Sequence, residues 1–297
     1  MRRKASWGGV LFAMTLFNVA QAQLEPAKRQ AEVEHQANVT FAKYGDREVA
    51  LDLFVPKDGG ARHPAIVCIH GGGWVKGDRS LMTPLARALA ERGFVAAAIS
   101  YRLSGEKKFP AAIEDCKAAV RWLRTHADEY GIDPQAIGAT GLSAGGHLAA
   151  LLATSGGESE LEGDGGNREQ SSRIQAAVAM GAQSDLESPR IAEWSRKPDE
   201  PYYRTFLGGS FDDVPKVYAA ASPRHYLNTG DPPLMFITGE LDHPTSHADD
   251  MRGDLMRLGI PTGLTIIPQA PHSFLNNEVW LNAAVDAMAS FFDLHLR

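Results

Sequence analysis

Apolar and polar positions along the chain follow two periods. Residues 39–44 and 48–55 alternate on either side of Gly45-Asp46, a spacing and turn pair that predict a β-hairpin. Beyond it, short unbroken apolar runs at 65–69, 94–99, 135–140, 174–180, 233–238 and 264–267 read as strands covered on both faces. Helical periodicity fills the gaps: 81–92, closed by Gly93; 110–130, with Pro110 in its first turn; then 144–154, 246–258 and 279–296. Strands alternating with amphipathic helices predict an α/β fold with a mostly parallel central sheet, to which the hairpin adds an antiparallel edge.

Two stretches break the rhythm. Residues 155–172 are rich in Gly, Glu and Asp and read as an exposed loop. Its Glu162, Asp164 and Asn167 do not have the spacing of an EF-hand, so a solvated acidic loop is expected rather than a metal site. Residues 186–227 carry Trp194, Tyr202, Tyr203, Phe206 and Phe211 among prolines and charges, an insertion expected to wall a pocket. At the amino terminus, Arg2, Arg3 and Lys4 precede an apolar run at 7–17 and then Ala20-Gln21-Ala22. That pattern predicts a signal peptide (1–22) cleaved after Ala22, hence an exported protein, periplasmic or secreted. The apolar run is too short for a stable membrane anchor. Residues 23–38 read as a flexible lead-in, and 39–297 as a single catalytic domain.

Composition narrows the classes. Of 297 residues, 44% are hydrophobic and 22% charged, which excludes a disordered or collagen-like chain. Lys+Arg 30 against Asp+Glu 36 gives a net charge of −6, so no basic field exists to hold nucleic acid. Two cysteines exclude a disulfide-dense scaffold and a cysteine-only zinc cage. Cys68 lies in an apolar strand and Cys116 on an apolar helix face; both read as core residues, with a bond between them left open. The chemistry below calls for no cofactor and no metal.

Between a predicted strand and a predicted helix stands Gly141-Leu142-Ser143-Ala144-Gly145-Gly146. A serine on such a turn is lifted above the sheet edge, and the glycines let strand and helix pass close to it, which makes Ser143 the candidate nucleophile. His70-Gly71-Gly72-Gly73-Trp74 follows the strand at 65–69. Consecutive glycines can turn their amides into one space, so the N–H groups of Gly72, Gly73 and Ala144 are the candidate oxyanion hole. The base is assigned to His272, in the loop after the last strand, over His70, His147, His243 and His247. His70 more naturally braces the glycine loop, and His147 lies on the helix behind the serine. Asp242, after the strand at 233–238, is the acid that would orient the base; Glu240 reads as a solvated carboxylate. The order Ser143, Asp242, His272 is that of the α/β-hydrolase arrangement. Trp74, Trp194 and Tyr203 are the candidate pocket aromatics.

With those residues placed, the chain resembles the α/β-hydrolase carboxylesterases over residues 39–297. It is similar to the bacterial acetyl-xylan/feruloyl esterase-like group, with the hormone-sensitive-lipase-like esterases as relatives. Tyr101-Arg102-Leu103, Phe109-Pro110-Ala111-Ala112, Asp115 and Ala221-Ser222-Pro223 add to the motifs above. Leu142 stands where the lipase-like group usually has aspartate, and the residues after Asp242 read His-Pro-Thr instead of the more usual apolar-Pro pair. The resemblance implies a serine carboxylic-ester hydrolase acting through an acyl-enzyme on small acyl or aromatic-acid esters. Acetyl or feruloyl esters of plant polysaccharides, small or oligosaccharide, are the implied substrates. A serine peptidase on the same sheet and a catalytically silent binding protein are the alternatives.

Overall fold

The computed structural model describes residues 31–297 apart from 58, 59, 61 and 200. The expected signal peptide (1–22) and residues 23–30 of the lead-in lie outside the described residues. Along the chain run β1 (Val33–Tyr44), β2 (Arg47–Pro56), β3 (His63–Ile69), α1 (Thr83–Ala90), β4 (Val95–Ile99), α2 (Ala111–Thr125), β5 (Ile132–Leu142) and α3 (Ala144–Thr154). After them come β6 (Ala176–Met180), α4 (Pro189–Arg196), α5 (Tyr202–Leu207), α6 (Pro215–Ala220), β7 (Leu234–Gly239), α7 (Asp249–Arg257), β8 (Thr262–Ile267) and α8 (Glu278–Leu296).

The strands form one sheet in the order β1-β2-β4-β3-β5-β6-β7-β8. β1 pairs with β2, and β2 with β4, antiparallel; every later pair is parallel. Parallel strands need crossovers, so the carboxyl ends of β3, β5, β6, β7 and β8 all open on one rim. Alternation sorts the side chains into two cores. Ala65, Val67 and Ile69 of β3 join α2, α3 and α7 on one face, while Ile66 and Cys68 join α1 and α8 on the other. The two cysteines therefore belong to opposite faces of the sheet: Cys68 in one core, Cys116 in the other, both buried and free. Among the described residues no helix is long and apolar enough to cross a membrane.

Several boundaries differ from the sequence reading. β1 begins at Val33, so residues 33–38 of the expected flexible lead-in are strand. At a sheet edge the backbone ladder holds a strand whose side chains are polar; His35 also stacks on Phe54 of β2 at 4.4 Å. The register slips between Gln36 and Val39, where the Asn38 N–H donates to Asp52 Oδ1 at 2.8 Å. The predicted helix 110–130 stops at Thr125, and Gly131, at φ 63°, turns the chain into β5. The loop at 155–172 is not a solvated acidic run throughout. Glu162 accepts from Lys117 Nζ and Arg121 Nη1, both at 2.8 Å, and from Ser172 Oγ at 2.6 Å. Lys117 and Arg121 are buried on α2 and need that counter-charge, so Glu162 pins the loop to the helix. The insertion at 186–227 folds into α4, α5 and α6, with Ile191, Phe206 and Tyr218 buried against the α3 face.

Candidate active site

β5 and α3 meet at Ser143, whose backbone sits at φ 60°, ψ −120°, a region that non-glycine residues rarely adopt. The strain is held by close-packed glycines. A Cβ on Gly145 would lie 2.0 Å from the Ile69 carbonyl oxygen, and one on Gly146 2.4 Å from that of Met180. One on Gly141 would meet Gly145 at 2.5 Å. The Ser143 N–H donates to the Met180 carbonyl at 2.8 Å, which fixes the turn against β6. The hydroxyl itself makes no hydrogen bond among the described residues and lines a cavity of about 840 Å³.

The glycine loop borders the same cavity. Gly72 (φ 119°) and Gly73 (φ 61°) are in backbone regions that favour glycine, and a Cβ on Gly72 would fall 2.0 Å from the Lys76 carbonyl oxygen. The Gly72 carbonyl accepts from the N–H groups of Val75 and Lys76, both at 3.2 Å. The N–H groups of Gly72, Gly73 and Ala144 have no backbone acceptor among the described residues, and all three residues line the cavity. His70 braces this loop. Its Nδ1 bonds the Gly71 carbonyl at 2.7 Å, and its ring stacks on Tyr101 at 4.2 Å.

At the same cavity, His272 Nδ1 lies 2.8 and 2.9 Å from the two oxygens of Asp242. The Asp242 side chain is only 2% exposed, whereas that of His272 is 45% exposed. Asp242 also accepts from the His243 N–H at 2.6 Å and from Thr238 Oγ1 at 3.3 Å. Burial alone would raise its carboxyl pKa; the bond and charge of His272 more than offset this and hold it below the ordinary range. Glu240 is exposed on its loop, as expected, and is also hydrogen-bonded. It accepts from the backbone and side-chain nitrogens of Gln269 at 2.8 and 2.9 Å, steadying the loop that leads to His272.

Ser143, Asp242, His272, Gly72, Gly73 and Ala144 thus border one cavity, together with Trp74, Trp194 and Tyr203. An imidazole at the same cavity as a serine hydroxyl is the kind of group that can take its proton, while free amides can receive a negative oxygen. The rival histidines are occupied elsewhere. His147 is fully buried between Trp74 and the Ala221 carbonyl, and burial pushes its imidazole pKa down to about 4. His243 bonds Thr245 and Arg190. The sequence reading missed one contributor and left another undistinguished among the aromatics of the insertion. Gly181, at φ 52° after β6, leaves room for the acid–base pair: its Cβ would lie 3.0 Å from Asp242 Oδ2 and 3.1 Å from His272 Cε1. A glycine directly after a predicted strand on this rim was the available signal. Tyr202, on α5, lays its ring over Gly73 and is 39% exposed, while its neighbour Tyr203 is nearly buried. Adjacent aromatics on a short helix cannot be ranked before the helix is docked.

A family model described as BD-FAE matches residues 51–252. Esterase LipQ of Mycobacterium tuberculosis is 33% identical over 237 residues, covering 77% of this chain and 55% of LipQ. The chain therefore spans about half the length of that relative. A truncated carbohydrate esterase from gut microbiota superposes with a TM-score of 0.76 at 24% identity, over 90% of this chain and 99% of the other. Thermogutta terrifontis Est2 with propionate bound gives 0.69 at 29% identity, over 90% and 96%. Structures of that esterase also exist with butyrate bound and phosphonylated by cyclosarin. With the sheet order, these superpositions establish the α/β-hydrolase fold expected from the sequence.

Proposed function

The chain belongs to the BD-FAE family, and from that premise we propose that it is an exported serine carboxylic-ester hydrolase with residues 33–297 as one catalytic domain. The observation that carries the reading is the His272–Asp242 pair bordering the same cavity as a strained Ser143 and three unpartnered amides. Ser143 Oγ attacks the ester carbonyl carbon, and its proton passes to His272 Nε2. Asp242, accepting from Nδ1–H, keeps the ring in that tautomer and stabilises the imidazolium. The carbonyl oxygen, now negative, takes hydrogen bonds from Gly72, Gly73 and Ala144; one such donor is worth ~3 kcal/mol of transition-state stabilisation. Collapse expels the alcohol, which takes the proton from Nε2. Water then attacks the acyl-serine by the same path and releases the acid, restoring the Ser143 hydroxyl.

The acid portion is a small acyl group or an aromatic acid, and acetyl or feruloyl esters of plant polysaccharides are the substrate class. The propionate and butyrate complexes of Est2 support short acyl groups. Its phosphonylation by cyclosarin supports covalent chemistry at a nucleophile. Trp194, Tyr202 and Tyr203 supply flat apolar surface suited to a feruloyl ring or a sugar face. The cationic start, apolar run and Ala20-Gln21-Ala22 support export, which would bring the enzyme to polymer fragments.

The test is Ser143→Ala on purified protein, assayed with p-nitrophenyl acetate, acetylated xylo-oligosaccharides and feruloyl esters. Turnover is expected to fall by at least about 10⁴-fold, and covalent labelling by a fluorophosphonate to vanish. Retained turnover in this variant would end the mechanism. Hydrolysis of peptide amides in preference to all these esters would overturn the substrate class.

A further inference from the structure

His147 is a fully buried histidine that takes no part in the proposed proton transfer, yet it touches both the turn of Ser143 and the end of the glycine loop. It lies one helical turn after Ser143, and its N–H donates to the Ser143 carbonyl at 2.9 Å, so its backbone moves with the nucleophile. Its Nε2–H donates to the Ala221 carbonyl at 2.7 Å. That bond fixes the tautomer and leaves Nδ1 as an acceptor, and Nδ1 receives the indole N–H of Trp74 at 3.2 Å. Trp74 directly follows Gly73 and, unusually for a bulky residue, holds φ at 61°. Such a conformation persists only where the surroundings over-determine it.

The surroundings do so from several sides. The Trp74 carbonyl accepts from Ser104 Oγ at 2.8 Å and from the Ser104 N–H at 2.9 Å. Its indole stacks on Phe206 with centroids 4.5 Å apart and meets the His147 ring edge-on at 5.2 Å. Of these contacts, the His147–Trp74 bond is the one that joins the glycine loop to the helix of the nucleophile. We propose that His147 is a positioning residue that sets the Gly72 and Gly73 amides at their working distance from Ser143. The proposal rests on the acyl-transfer reading, because an oxyanion hole has meaning only for that chemistry. Donors displaced by about 1 Å forfeit much of their effect on the transition state while still admitting the substrate, so the loss falls on kcat.

The experiment compares His147→Phe, Trp74→Phe and the double variant, with kcat expressed per active site titrated by an organophosphate burst. His147→Phe keeps the ring and loses both bonds, and kcat is expected to fall about 100-fold with KM within about threefold. The double variant should lose no more than the worse single one. His147→Asn, whose Oδ1 stands near the Nδ1 position and can accept the indole N–H, should recover most of kcat. A purely structural role would lower the number of titratable sites and leave kcat per site within about twofold of the parent, and that result overturns the proposal. Multiplicative losses in the double variant overturn it as well. Trp74→Phe removes the donor without touching α3, so it decides the matter if His147→Phe does not fold. Ser143→Ala, run alongside, separates the two levels. Turnover surviving in it sinks acyl transfer itself, whereas a dead Ser143→Ala beside an unimpaired His147→Phe sinks only the positioning role.

Discussion

The two halves of the cavity are held in place by different physics. On the Ser143 side, β5, the turn at Ser143, α3 and the glycine loop lock together through backbone approaches that tolerate no Cβ, and nearly every side chain there is buried. On the His272 side, the imidazole is half exposed on a loop, and its described hydrogen bonds are the two to a single carboxylate. Oxyanion donors must be in place before charge develops, which demands rigidity. In the proposed mechanism the base serves serine, leaving alcohol and water in turn, which one strong bond to Asp242 is compatible with. The two histidines make the contrast plain: His147 is clamped by Trp74 and the Ala221 carbonyl, His272 by Asp242 alone among the described residues.

Cutting the single tie of His272 should give the largest effect. Asp242→Asn keeps the shape but presents an N–H to His272 and favours the wrong tautomer; kcat should fall by about 10⁴-fold, roughly 5 kcal/mol. Steady-state kinetics check this, with the thermal midpoint close to that of the parent because the fold on this side does not depend on the bond. An intact kcat would mean that Asp242 is not the orienting acid.

Next in size is a methyl group on the rigid side. Gly145→Ala would drive a Cβ into the Ile69 carbonyl and force α3 away from β3, at about 4 kcal/mol of stability, the upper end for a single substitution. Urea unfolding measures it. A loss under about 1 kcal/mol would show that the nucleophile half is more yielding than its packing implies.

A third prediction concerns acid. The His147 imidazole titrates near 6.5 when unfolded and near 4 in the native protein, because burial disfavours its charged form. Between those values the unfolded chain binds the proton and the native one does not, so stability falls as pH drops from about 6.5 to 4, by up to about 3 kcal/mol. The difference in unfolding free energy between parent and His147→Phe should therefore shrink by that amount between pH 7 and pH 4. A constant difference would contradict the burial of a neutral ring.

The smallest effect is expected where the rigid loop meets the open cavity. Tyr202→Ala uncovers Gly73 and widens the cavity without touching Ser143, Asp242 or His272. Relative kcat/KM should shift from acetyl toward longer or aromatic acyl esters by about tenfold, near 1.4 kcal/mol. An unchanged preference across a p-nitrophenyl ester series would remove Tyr202 from specificity.

Much of this was legible in the sequence because it is written in local terms. Unbroken apolar runs mark strands covered on both faces, a serine among glycines between strand and helix marks the tight turn, and three glycines after a strand mark a loop with freely aimed amides. These patterns depend on neighbours a few residues away, so periodicity and residue chemistry suffice to read them. What needed the tertiary structure depends on residues far apart in the chain. The polar strand at 33–38 exists because β2 offers it a ladder, and Glu162 is pinned because Lys117 and Arg121 are buried beneath it. Tyr202 rather than Tyr203 covers Gly73 because of how α5 docks, and His147 reaches Trp74 across 73 residues of chain. Long-range packing and the desolvation it imposes decide such partners, and no local pattern encodes them.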